Sequence, residues 1–140
     1  MVYMGLLVYF LFFAESYGRV GELEREYRYN LILFREIRRF WVYRDQVGIP
    51  AMALNIFGNV IGFIPFGYII PVINHRFRNW LLITVSGFSL SLCVETAQLV
   101  FRVGSFDVDD LMLNTLGALL GYVFFWVCNE IRRRLYGKTI

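Results

Sequence analysis

The sequence predicts an all-α fold. It reads as a polytopic integral membrane helical bundle of about four transmembrane helices, with an amphipathic interfacial helix in the first extracellular loop. Three observations predict this. Apolar residues make up 58% of the 140 and charged residues only 18%, where soluble domains average about 45–50% apolar. The apolar residues gather into runs of membrane-crossing length, and the charged residues gather between the runs. At this length the chain holds one membrane domain, residues 1–140, and no second one.

Segments 51–73, 80–101 and 111–128 approach or exceed the roughly 20 residues that cross a ~30 Å hydrocarbon core at ~1.5 Å per residue. Segment 1–14 is shorter. It lacks the basic flank of a signal peptide, and its tail "FAE" offers no small-residue cleavage site. It is read as a further membrane helix, with the completeness of the N-terminus left open.

Orientation follows from the short loops. "NHRFRN" carries Arg76 and Arg78, and "NEIRRRLYGK" carries Arg132, Arg133, Arg134 and Lys138. Four spans place these two segments on one side, and their charge makes that side cytoplasmic. The expectation is a multi-pass protein of the cell membrane, N-in and C-in, with the acidic loop "RVGSFDVDD" outside. The long first loop balances seven arginines against six acids and decides nothing.

Within that loop, "NLILFREIRRFWVYR" sets Leu31, Phe34, Ile37 and Trp41 at helical spacing. Arg35, Arg38, Arg39 and Arg44 fall elsewhere around the helix. Phe34 and Trp41 are then expected at headgroup depth, with Arg35, Arg38 and Arg39 reaching phosphates. A solvated amphipathic helix packed on top of the bundle fits the same spacing equally well.

A small set of polar residues interrupts the spans. Glu95 is the costliest, at about 2.5–3.5 kcal/mol near a helix centre, and Gln98 and Arg102 share its face. Arg102 is the natural counter-ion, and a protonated Glu95 is the alternative. Asn55 and Asn59 stack four apart beside Gly58 and Gly62, while Asp110, Asn114, Gly117 and Gly121 line one face of the last span. Such stripes serve helix packing as readily as ligand binding. Pro65 is expected to bend its helix, with Gly62 and Gly67 absorbing the kink. Asp107 reads as a helix N-cap.

Helix direction alone adds one more constraint. Consecutive spans run in opposite senses, so Asn55, Asn59, Glu95, Gln98, Arg102, Asp107, Asp110 and Asn114 all come to the same depth. These eight residues form the candidate polar pocket, and its expected occupant is a membrane lipid or a cell-wall lipid precursor.

Other chemistries find little footing. D-x-D-D lacks the further ligands and glycine of a calcium loop. Cys93 and Cys128 both lie in apolar runs with no soft ligand nearby, so neither a metal nor a cofactor is expected. A net charge of +3, with arginines and acids alternating, argues against nucleic acid. No nucleophile–base pair is visible, so no catalytic residue is assigned.

The motifs "NVIGFIPFGYIIP", "ETAQ" and "SFDVDDLMLNTLGALLGY", in that order on successive spans, resemble the VanZ-like family. "FAESYGR" and "YNLILFREIRRF" extend the resemblance over nearly the whole chain. The family pattern falls here on Asn59, Pro65, Gly67, Glu95, Gln98, Arg102, Asp107, Asp110, Asn114, Gly117 and Gly121. Leu33 stands where the family often has proline. The resemblance implies a bacterial cell-envelope protein, because the founding member is associated with low-level teicoplanin resistance in Gram-positive bacteria.

Three functions from different classes follow. The first is a non-enzymatic envelope protein that binds a lipid or precursor head group in the outer leaflet. The second is a structural or transport-assisting subunit whose polar residues join helices, with a membrane-protein partner or a homo-oligomer. The third is a membrane-embedded enzyme using Glu95 and Asp110, which the missing nucleophile–base pair disfavours.

Overall fold

The computed structural model describes residues 3, 5, 29–35, 38, 42, 49–102 and 105–137; for residues 49–52, 54 and 55 it describes the backbone alone. Three long helices dominate: α1 (Ile49–Ile73), α2 (Trp80–Phe101) and α3 (Val108–Tyr136). Each is long and apolar enough to cross a membrane. The count among the described residues is three, where the sequence suggests about four. The expected first span, 1–14, lies outside the described residues except for Tyr3 and Gly5, both of helical backbone.

The helix ends follow from side-chain caps, which hydropathy does not register. Asn79 accepts the Leu81 N–H and starts α2, and Asp107 accepts the Asp109 N–H and starts α3, satisfying donors that have no partner within the helix. At its far end α2 stops on Arg102 and α3 on Gly137, both in the left-handed conformation that turns the chain out of a helix. A short 3-10 turn, His75–Phe77, joins α1 to α2, with Asn74 capping it through the Arg76 N–H.

α1 and α3 approach backbone to backbone. A Cβ on Gly117 would meet the Val60 carbonyl, one on Gly121 the Ile64 carbonyl, and one on Gly67 the Ala118 carbonyl. The seam therefore requires three glycines, since lipid tails give helices no hydrophobic reason to associate and close packing must supply it. Gly67, expected to relax a kink, is also a contact residue of this seam. α2 closes on the other side, with Gly87 facing Ala118.

Pro65 and Pro71 both lie inside α1, and the helix continues through them. A proline weakens the ladder one turn before it. Beside the Ile61 carbonyl that Pro65 leaves without its helical donor, the Gly62 carbonyl accepts a hydrogen bond from the Tyr3 hydroxyl at 2.8 Å. Neighbouring side chains commonly re-satisfy such backbone groups in membranes.

Among the described residues the buried apolar core consists of Phe63, Ile83, Val94, Leu111, Leu113, Ala118 and Phe125. Large apolar side chains such as Phe57, Ile61, Leu82, Phe88, Leu120 and Phe124 point outward. So many exposed large apolar side chains suit lipid. Cys93 is exposed on that exterior and Cys128 half-buried, each a free thiol.

The first loop departs from expectation. Tyr29–Asn30 forms a two-residue strand, β1, paired in parallel with β2 (Phe106–Asp107) in the register Tyr29 to Phe106 and Asn30 to Asp107. Residues 31–34 turn, with Phe34 at φ 63°, and helical backbone begins only at Arg35. The helix expected to carry Leu31 and Phe34 therefore starts later. Hydrogen bonds from this segment to the start of α3 override its helical spacing.

Candidate functional site: a buried acid and amide cluster

The end of the bundle where α1 and α3 begin and α2 ends is polar inside. Asn30, Asn59, Ser91, Glu95, Gln98, Asp107, Asp109, Asp110 and Asn114 are all at most 9% exposed. Burying a polar group without a hydrogen bond costs roughly 1–3 kcal/mol, so this end must be extensively paired.

The pairing begins at the start of α3. The Asp107 carboxylate caps the helix through the Asp109 N–H at 2.8 Å, and it also accepts Asn30 Nδ2 at 3.2 and 3.4 Å. Asn30 in turn uses its Oδ1 to accept the Ile32 N–H at 3.2 Å. Asp109 accepts the Phe34 N–H, so two consecutive turns of the chain tie residues 30–34 to α3. Anionic groups are at home here, because the N-terminus of a helix carries partial positive charge.

α1 and α2 supply the other walls. Asn59 Nδ2 donates to Asp110 Oδ1 across the α1–α3 seam. From α2, Glu95 Oε2 accepts the Asp107 N–H at 3.0 Å. One turn further along α3, about 6 Å inward, Asn114 Nδ2 donates to Ser91 Oγ at 2.9 Å. The Asn114 Oδ1 is buried and has no hydrogen-bond partner among the described residues. The carboxyl oxygens of Glu95, Asp107 and Asp110 thus all accept bonds from the chain's own N–H and amide donors.

The expected pocket residues are placed as follows. Asn59 pairs with Asp110, Glu95 with the Asp107 N–H and Asn114 with Ser91, and Gln98 is buried one turn from Glu95 on α2. Arg102 sits at the α2 C-cap with its side chain exposed; its backbone N–H returns to the Gln98 and Leu99 carbonyls. Asn55 lies on α1, and its side chain is outside the described residues. Of the interfacial set, Phe34, Arg35 and Arg38 are exposed, and Arg39 and Trp41 lie outside the described residues. Asp107 caps α3 as expected, its own N–H goes to Glu95, and Asp110 accepts the Asn59 amide.

Three cluster members escaped the sequence reading: Asn30, Ser91 and Asp109. Ser91 was accessible, because it continues the Glu95–Gln98 face one turn earlier. Asp109 stood inside the quoted D-x-D-D. Asn30 gave no signal, since its contact with Asp107 spans 77 positions of sequence.

The opposite end is basic and differently built. Arg78 Nε donates to the Pro71 carbonyl at 3.2 Å, its guanidinium lies 5.6 Å from the Phe125 ring centroid, and its carbonyl accepts the Tyr122 hydroxyl. Arg133 and Arg134 both bond Glu130, and such exposed pairs contribute little to stability. His75 is at this end too, distant along the bundle from every carboxylate of the cluster.

If the Asn59–Asp110 bond joins α1 to α3, alanine at each position should be non-additive. A double-mutant cycle in detergent or bilayer is expected to give a coupling of about 1–3 kcal/mol. Additive effects would mean that the two side chains stabilise the bundle separately.

Comparison with known proteins places this geometry. Residues 1–129 match the family model described as VanZ/LLP1. Protein VanZ of Enterococcus faecium is 36% identical over 72 residues, which cover 51% of this chain and 44% of that protein. The match thus spans less than half of the relative's length. No solved structure matches. With the family model covering all three described helices up to residue 129, this chain is a membrane protein that belongs to the VanZ/LLP1 family.

Proposed function

We propose that this chain is a bacterial cell-envelope protein whose acid and amide cluster holds the polar head group of a lipid or of a cell-wall lipid precursor. Holding that group lowers susceptibility to teicoplanin-type glycopeptides. The observation that carries the reading is convergence: three apolar helices and the Asn30 segment bring nine of the described residues, all polar and buried, to one end of the bundle. Polar groups at membrane depth are expensive and mark function by default. The buried Asn114 Oδ1, without a hydrogen-bond partner among the described residues, is an acceptor one turn below Asp110. Arg76, Arg78 and Arg132–Arg134 at the other end orient that end to the cytoplasm by the positive-inside rule. The cluster then faces the outer leaflet.

One observation favours a second reading. The carboxylates already accept bonds from the chain's own amides and N–H groups, as a structural latch would. On that reading the protein is a structural or transport-assisting subunit. Glu95→Gln and Asp110→Asn separate the two, because both preserve shape and remove charge. At equal membrane abundance, the first reading expects each variant to lose most of the protein's effect on teicoplanin susceptibility. Unchanged susceptibility together with co-purification of a stable larger partner would establish the second.

A further inference from the structure

We infer that the turn at residues 31–34 is a fixed wedge that enters the headgroup layer of an anionic leaflet, with Arg35 and Arg38 contacting lipid phosphates. Leu31, Ile32, Leu33 and Phe34 are four consecutive apolar residues, exposed by 65%, 62%, 47% and 53%. Loop tips in water rarely carry such a run. This one is also not free to fold its apolar side chains inward. Its backbone is held on both flanks, by the β1–β2 pairing and Asn30 on one side and by the Phe34 N–H to Asp109 on the other. Phe34 adopts a left-handed backbone that non-glycine residues rarely take, and its N–H is the group that Asp109 accepts. The polar cluster thus acts as a foundation that presents apolar side chains outward.

Charge selects the occupant. Arg35 and Arg38 are exposed directly after the wedge, and residues 35–44 carry four arginines against one acid, Glu36. Apolar side chains beside guanidinium groups complement acyl chains beside phosphates. The exposed Val100 and Phe101 finish α2 at the same end of the bundle, so the wedge meets the bilayer where a span leaves it. This surface is separate from the cluster's own ligand, and the inference stands whether or not the cluster binds a head group.

The test uses the full chain with Cys93→Ala and Cys128→Ala, labelled at Leu33→Cys or Ile32→Cys with a fluorophore. The protein is reconstituted in phosphatidylcholine with or without phosphatidylglycerol. Quenching by a shallow spin-labelled lipid is compared with quenching by aqueous iodide. The expected result is strong lipid quenching and iodide protection at both sites, both increased by phosphatidylglycerol. Arg35→Gln with Arg38→Gln should abolish most of that increase. Iodide access equal to that of the free dye would overturn the wedge, as would protection from both quenchers, which signifies a protein cover. Equal behaviour in the two lipids would overturn the anionic preference.

Discussion

Gly121→Val is expected to abolish the native bundle, lowering its stability by about 3 kcal/mol or more. The Cβ alone would overlap the Ile64 carbonyl, and that carbonyl belongs to helix backbone that cannot rotate away. Overpacking a close interface typically costs 1–3 kcal/mol and more where nothing can yield. Here the α1–α3 seam also carries Asn59 to Asp110, so separating the helices leaves a buried carboxylate short of a donor. Gly117→Val should behave similarly, since it meets Val60. Gly137→Ala is the contrast: its Cβ meets nothing, and only its φ of 64° opposes the change, so a loss near 1 kcal/mol is expected. Denaturant titration of the reconstituted protein would rank the three. A Gly121→Val variant as stable as wild type would refute the seam.

Asp107→Ala is expected to cost about 2–4 kcal/mol and to release residues 29–34 from α3. One carboxylate caps the helix, receives Asn30 and neighbours the N–H that Glu95 accepts. Loss of a cap costs about 1 kcal/mol, and an orphaned buried amide adds roughly 1–3 kcal/mol. Asp107→Asn separates the contributions. Asparagine caps about as well as aspartate, so it should restore most of the stability. Hydrogen exchange at the Ile32 and Phe34 amides would report the release, with faster exchange in alanine than in asparagine. Equal exchange in both variants would show that charge, not capping geometry, secures the segment.

Much of this organisation is legible in sequence because membranes impose simple rules. Segment 80–101 coincides with α2, since apolar residues there fill the helix between Asn79 and Arg102. The last helix runs to Tyr136, well past the expected residue 128. Hydropathy marks where lipid ends, and the helix continues into water on Arg132–Arg134. Helix direction alone also brings Asn59, Asp110 and Glu95 to one depth, while which of them pair is set by the packing. The Asn30 segment was not legible in the same way. A two-residue parallel strand has no periodicity to detect, and the spacing of Leu31, Phe34, Ile37 and Trp41 favoured a helix throughout. Tertiary hydrogen bonds to Asp107 and Asp109 decide that segment. The glycine seam is half visible: the Gly117–Gly121 spacing announces it, whereas Gly67, two residues from Pro65, reads from sequence as relief for a kink.

The most direct test of the central claim is native mass spectrometry of the purified chain with its co-isolated lipids, for wild type and for Glu95→Gln. The cluster as a head-group site predicts a defined lipid or lipid-precursor adduct on the wild-type protein. That adduct should be lost or strongly reduced in Glu95→Gln while the protein remains folded. An identical adduct pattern in the two proteins, with folding intact, would contradict it and leave the buried carboxylates as the latch that closes one end of the bundle.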